Sequence, residues 1–274
     1  MGLRVNSNIS SINAQRNLVN TTDRLQKSLQ RLSSGLRISR AADDAAGLGI
    51  SESFRAEIRS LQQAQRNAND GISLLQIAEG ALNETSSILI RLRELAIQSA
   101  NGTLGQPERA TVDLEFQGLL AELDRIAAVT EFNGLKILES GAPITFQIGT
   151  SNTSSDRFTV SAVNATTSAI GINGLAVSSA SGALSALALL DSAVGQVAAL
   201  RATFGTAQNR LESTIRSIAI AVENTAAADS RIRDVDFASE TAELTRNQVL
   251  QQAGISVLAQ ANVSSQAALN LLQG

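Results

Sequence analysis

Apolar positions in the first third of the chain recur at coiled-coil spacing. Leu18, Thr22, Leu25, Leu29, Leu32 and Leu36 step by four and three residues in turn, the rhythm of a seam between two helices. Upstream, Val5, Ile9, Ile12 and Val19, with Arg16 among them, keep the same rhythm one position out of phase. A slip of this kind lets a long helix change partners along its length. The turn residues Ser33, Ser34 and Gly35 interrupt the run, and Asp43 or Asp44 is placed to cap the next helix.

A second helix is predicted from about residue 45 to 100. Leu61, Ala64, Ala68, Ile72, Leu75, Ala78, Leu82, Thr85, Leu89, Leu92 and Ala96 hold the spacing throughout. At ~1.5 Å per residue this is a rod roughly 80 Å long. ANGTLGQPE, residues 100–108, breaks it with two glycines and a proline. A third helix spans about 107–128, with Val112, Leu119, Leu123 and Ile126 on its apolar face. The pattern then changes period. Asn133–Gly134 between apolar residues is a hairpin signal, and ITFQIG (144–149) and RFTVSAV (157–163) alternate as half-buried strands do. Asn173–Gly174 suggests a further hairpin.

Helical spacing returns from about 182 to 227. Leu184, Leu187, Asp191, Val194, Ala198, Arg201, Gly205, Gln208 and Leu211 carry it, and Ile215, Ile218 and Val222 complete it. In the last helix, which Asp236 or Ser239 can cap, Leu244, Gln248, Gln251, Ile255, Leu258, Asn262, Ser265, Leu269 and Leu272 step four and three to the end. The expected fold is mainly α. Long antiparallel helical rods and a coiled coil of the terminal helices accompany a small β-hairpin region at the middle of the chain. The two ends must lie side by side for their seams to meet.

The last helix carries a further signal. Arg246 is the final charged residue, so positions 247–274 have no charged side chain, although a solvated helix normally carries charge on its outer face. Burial returns only about 25 cal/mol per Å² of apolar surface, while ordering the backbone costs about 1–2 kcal/mol per residue. Seams of Ala, Ser and Gln bury little apolar area, so a single pair of terminal helices is marginal in isolation. It becomes stable when several copies pack together, and the uncharged stripe is an assembly surface. Asn262 and Ser265 on that stripe suit either solvent exposure near a chain end or selection of helix register by paired amides.

Composition removes most chemistry. The 274 residues include no Cys, no His, no Trp, no Tyr and two prolines, Pro107 and Pro143. Without His there is no Ser-His-Asp triad and no HExxH zinc site. Without Cys there is no thiolate or disulfide. AAGLGIS (45–51) lacks the spacing and the Lys of a phosphate loop, and Asp43–Asp44 reads as a helix cap beside a solvated neighbour. No catalytic residue, metal or cofactor is expected. A net charge of −3 supplies no surplus of cations for nucleic acid. The first 60 residues hold nine Arg/Lys against five Asp/Glu, which reads as a solvated helix face. No run of eighteen apolar residues is present, so no membrane-inserted helix is expected, and no signal-peptide pattern opens the sequence.

Several long motifs, in order, resemble bacterial flagellin. They are LSSGLRISRAADDAAGLGIS (32–51), RLRELAIQSANG (91–102), EFNGLKIL (131–138), RIRDVDFASETAELTRNQVLQQAGISVLAQAN (231–262) and ALNLL (268–272). The resemblance covers about 1–140 and 182–274. It implies a subunit of the swimming filament, with an inner-tube domain built from helices in 1–40 and 235–274. A rod domain would come from 41–140, with its β-hairpin, and 182–234, and 141–181 would form a short variable β or loop insert. Packing in the polymer would rest on Ile9, Ile12, Leu18, Leu25, Leu29 and Leu32 of the first helix. Leu244, Ile255, Leu258, Asn262, Leu269 and Leu272 of the last would meet them.

The same resemblance implies export through the flagellar secretion apparatus, with an export chaperone, cap and junction proteins as partners beside the chain itself. It places the product outside the cell, in the filament. It also implies recognition by a vertebrate Toll-like receptor through a patch matched by Arg91, Leu95 and Glu115. Arg91 and Glu115 equally suit a rod–rod contact needed for filament packing. Two other readings stay open: a hook–filament junction protein, which is similar at both ends, and a secreted membrane-active translocator. The last helix has few bulky residues and no cationic polar face, which disfavours the translocator.

Overall fold

The computed structural model describes residues 7–139, 142–161 and 163–273, with side chains described as far as residue 263. Val5 and the side chains of Ser265, Leu269 and Leu272 therefore lie outside the described residues. The chain divides into two units, one of 1–56 with 224–274 and one of 57–223.

Helix α1 spans Ile9–Ser34. The Asn8 side chain accepts from the Ser11 backbone N–H at 3.0 Å, and Gly35, at φ 72°, closes the far end by donating to the Arg31 carbonyl at 2.8 Å. That left-handed cap is open to glycine at no steric cost. Helix α2 runs Ala45–Ala100, 56 residues, entered through an Asp44 carboxylate that accepts from the Gly47 N–H at 2.9 Å. Helix α3 is Gln106–Val129, with Pro107 in its first turn, where no intrahelical N–H is lost. Helix α4 spans Ala180–Arg233 and α5 spans Phe237–Gln273. The Asp236 carboxylate opens α5, accepting from the Ala238 N–H at 3.0 Å.

In the first unit α1 packs along α5. The segments leaving these helices also pair. Leu36 and Asp234 form an antiparallel bridge. Around it the Arg37 N–H donates to the Arg233 carbonyl at 2.7 Å, and the Val235 N–H to the Gly35 carbonyl at 3.0 Å. The Arg37 guanidinium adds a bond to the Ile232 carbonyl at 2.6 Å.

In the second unit the buried stripe of α2 is the one its spacing predicts: Ala64, Ala68, Leu75, Ala78, Leu82, Leu89, Leu92 and Ala96 are all buried. From Ala68 onward they share one core with Phe116 and Leu123 of α3 and Leu190, Phe204 and Leu211 of α4. Strands β1 (Glu131–Phe132) and β2 (Leu135–Lys136) form the predicted Asn-Gly hairpin, with Asn133 at φ 51° and Gly134 at φ 76°, the sense that matches strand twist. Strands β3 (Ile144–Gln147) and β4 (Arg157–Val160) pair antiparallel with Phe146 opposite Phe158. Gly71 of α2 faces this hairpin: a Cβ there would crowd Leu211 Cδ1 at 3.2 Å and touch the Phe146 ring at 3.4 Å.

Two expectations are corrected. Asn173–Gly174 is a turn with Gly174 at φ 73°, and no strands flank it among the described residues. Residues 163–177 instead cross the helices as an irregular strap that buries Val163, Ile170, Ile172 and Val177. Carboxylates of α3 hold the strap: Asp124 accepts from the Thr167 N–H at 2.8 Å and hydroxyl at 2.7 Å, and Asp113 from the Val177 N–H at 2.7 Å.

The second correction concerns α4. Its buried stripe is Ala183, Ala186, Leu190, Ala193, Val197, Phe204 and Ala207, one residue before the expected positions until both meet at Leu211. Leu184 is 61% exposed. By length and composition alone, α4 is long and apolar enough to cross a membrane. Its core stripe is part of the rod interior.

Candidate assembly surfaces

The seam between α1 and α5 is small and polar. Its buried residues on α1 are Ser11, Ala14 and Ser28, and on α5 Glu240 and Asn247. Leu18, Leu25 and Leu32 of α1 and Leu244 and Leu258 of α5 are half-buried. Leu18 meets the backbone of Gly254, where a Cβ would lie 3.4 Å from its Cδ1. Polar pairs set the alignment. The Ser11 hydroxyl donates to the Asn262 side-chain oxygen at 2.9 Å, and the Asn8 amide donates to the Ala261 carbonyl at 2.9 Å. At the other end Arg31 and Glu240 pair at 3.4 Å. Asn247 is buried, and its amide nitrogen has no hydrogen-bond partner among the described residues.

A second set of large apolar residues points away from this seam. Ile9 is 57% exposed, Ile12 59%, Leu29 50% and Ile255 54%. Val19, Val249, Leu250, Val257 and Val263 are exposed as well. Beside the seam lies a groove of about 410 Å³ lined by Ala14, Leu18, Thr21, Arg24, Leu250, Gly254 and Val257. The out-of-phase set Ile9, Ile12 and Val19 is thus the face of α1 that its own α5 does not cover. At roughly 25 cal/mol per Å², covering this face on several such residues is the main energy the pair has yet to gain. Spacing alone did not separate the inner seam from the outer face, because both repeat every 3.5 residues.

Where α1 gives way to α2, the Lys27 ammonium sits 2.9 Å from the Asp43 carboxylate. That hydrogen-bonded pair, with the Ser39 and Arg40 backbone N–H groups, holds the Asp43 carboxyl well below the usual carboxylate range, against a smaller opposing effect of burial.

On the rod unit, Arg91 and Glu115 are brought together at 2.8 Å, and Arg91 also reaches Glu94 at 2.9 Å. The Glu115 hydrogen bond, then that to Glu94, raises the Arg91 pKa. Leu95 is only 1% exposed. It stands one helical turn along from Arg91 and belongs to the core, so of the three matched residues only Arg91 and Glu115 are surface groups. Among the described residues no group of three or more acidic, Cys or His side chains is arranged to hold a metal.

Long helices, a rod core and a terminal pair with uncovered apolar faces define the class of a structural subunit. The comparisons with known proteins are specific. A family model described as the bacterial flagellin N-terminal helical region matches residues 5–142, and the bacterial flagellin C-terminal helical region matches 187–272. The 33 kDa core protein of the Treponema phagedenis flagellar filament is 42% identical over 286 residues, covering 98% of this chain and 99% of that protein. A flagellin of Halalkalibacterium halodurans is 44% identical over 270 residues, with the same coverage of each. The crystal structure of Bacillus cereus flagellin aligns with a TM-score of 0.51 at 35% identity, over 60% of this chain and 94% of that one. The chain belongs to the flagellin family.

Proposed function

We infer that this chain is a structural subunit of the bacterial flagellar filament, and that it reaches that filament by export to the cell exterior. The observation that carries the packing role is the outward set Ile9, Ile12, Leu29 and Ile255, each at least half exposed beside a seam of Ser, Ala and Asn. A helix pair that turns its largest apolar groups outward is complementary to further copies of itself. Residues 1–40 and 235–274 form the inner tube, and 41–234 the surrounding rod layer with 141–181 as its short insert. Leu18, Leu25, Leu32, Leu244 and Leu258 serve the pair within one subunit and bridge to its neighbours. Asn262, bonded to Ser11, selects the register. Leu269 and Leu272 extend the same stripe.

Export apparatus, export chaperone, cap and junction proteins are the further partners of this role, and the chain itself carries no catalytic function. The Arg91–Glu115 pair is a rod–rod contact in the polymer. In the free subunit it offers a Toll-like receptor a charged surface, with Leu95 acting from beneath as packing. Electron microscopy of purified protein after salt-induced assembly tests the reading. Long filaments are expected. Capped short oligomers would favour a hook–filament junction protein, and leakage from liposomes without polymer a membrane-active translocator.

A further inference from the structure

A second concave surface lies within the 57–223 unit, between the β3–β4 hairpin and one face of α4. It consists of two adjoining chambers of about 380 and 320 Å³ that share Ile148, Ser155, Thr214 and Ser217, each of a size that takes small molecules (about 300–1,000 Å³). On α4, Arg210, Ser213, Thr214 and Ser217 stand at i, i+3, i+4 and i+7 and so occupy one face. The hairpin supplies Ser155, Arg157 and Phe158 from the opposite side.

The charges in this cleft are unbalanced at one end. The Arg210 guanidinium lies 4.9 Å over the Phe158 ring, which fixes its plane while leaving its N–H groups at the edge available. Arg157 donates to the Asn152 side chain. Neither guanidinium forms an ion pair with a carboxylate among the described residues. The carboxylate that does line the cleft, Asp156, is in the second chamber. It accepts from the Thr153 hydroxyl at 2.7 Å and lies directly over Gly149. The hydroxyls of Ser155, Ser213 and Ser217 make no hydrogen bond to other described residues, and each can donate once and accept twice. The far chamber is walled by Leu61, Ile218 and Ala221.

A cationic end, a hydroxyl-lined waist and an aliphatic wall do not describe a site for a bare anion, which would engage the arginines alone. They match a pyranose ring, with ring hydroxyls against Ser155, Ser213 and Ser217 and its C–H face against Ile148 and Ile218. An acidic substituent would sit between Arg157 and Arg210 in charge-assisted hydrogen bonds. We propose that this cleft binds an acidic saccharide, one or two sugar units bearing a uronate or sulfate group. None of these residues belongs to α1 or α5, the helices that carry the outward apolar set.

The test is calorimetric titration of the soluble full-length chain at fixed ionic strength. The probes are trigalacturonate, a heparin-derived disaccharide, a neutral galactose trisaccharide and inorganic sulfate. Trigalacturonate, the disaccharide or both are expected to bind saturably, at least tenfold more tightly than the neutral sugar and than sulfate; which of the two binds separates uronate from sulfate ester as the preferred group. Arg157→Gln with Arg210→Gln should weaken that binding at least tenfold, and Ser217→Leu, which fills the waist, should do the same by a route that leaves the charge intact. Arg216→Gln, on α4 outside the cleft, should leave it unchanged. Absence of saturable binding by either acidic sugar would overturn the proposal. So would sulfate binding as tightly as the sugars, or an equal loss in Arg216→Gln.

Discussion

The Ser11 hydroxyl donates to the side-chain oxygen of Asn262 at 2.9 Å, joining residues 251 apart in sequence across the pair of terminal helices. A partly buried hydrogen bond of this kind contributes about 0.5–1.5 kcal/mol, little beside what apolar burial between copies would supply. Its larger effect is on alignment. One register brings these two groups together, and a slip by one heptad leaves both without each other.

Ser11→Ala should therefore shift alignment more than it reduces stability. The expected outcome is a filament whose thermal midpoint falls by only a few degrees, with increased hydrogen exchange confined to residues near 8–14 and 258–263. Exchange mass spectrometry of assembled material reads this directly, and unchanged protection at both segments would show the pair to be incidental.

The outward apolar face gives a sharper expectation. Ile12→Asp or Ile255→Asp places a charge where a neighbour's apolar face would sit, and burying an unpaired carboxylate is strongly unfavourable. Since both side chains are more than half exposed in the single chain, the monomer should keep its helical circular dichroism while sedimentable polymer disappears. Leu258→Asp, at a half-buried position, should lose both polymer and part of the helix signal.

In the rod, burial and charge should separate cleanly. Leu89→Ala removes a fully buried side chain and should cost about 2–5 kcal/mol, seen as a large drop in the denaturation midpoint. Arg91→Ala breaks a half-exposed ion pair with Glu115, which water already screens, and should leave that midpoint nearly in place. Leu95→Ala should behave like Leu89→Ala, because Leu95 is buried to the same degree.

Acid should act through Asp43. Its hydrogen bond and ion pair with Lys27, with the two backbone N–H groups, lower its pKa in the folded chain, whereas the unfolded value is near 3.9. A depressed folded pKa contributes stability that is fully present above the unfolded pKa and is lost as pH falls below about 4 toward the folded one. Asp43→Asn should lower the unfolding midpoint at pH 7 and flatten its decline below pH 4. A variant curve parallel to that of the unmodified chain at every pH would remove Asp43 from the acid response.

Much of the fold was legible because large leucines mark it. The α2 stripe from Ala64 to Ala96 is buried where its spacing placed it, and Asn133–Gly134 makes the turn its backbone preferences require. The α4 stripe was misplaced by one residue because its core side is largely alanine, at 183, 186, 193 and 207, while the larger Leu184 stands in solvent. Size draws the eye to the wrong face when a seam is too narrow for leucine. The strap at 163–177 left no periodic trace, since it is held by Asp113 and Asp124 rather than by a repeating pattern. The terminal helices posed a different difficulty: two apolar sets of equal period, one position out of phase, follow each other along α1, and nothing local tells which faces its own chain.

The bridge between Leu36 and Asp234 has a mechanical consequence. The segments that leave α1 and enter α5 are cross-tied by the Arg37 N–H to Arg233 carbonyl bond and the Val235 N–H to Gly35 carbonyl bond. Tension applied to either tail is shared between both strands at that crossing before it travels further along the chain. A pull on one tail is thus met at this crossing by hydrogen bonds to the other strand.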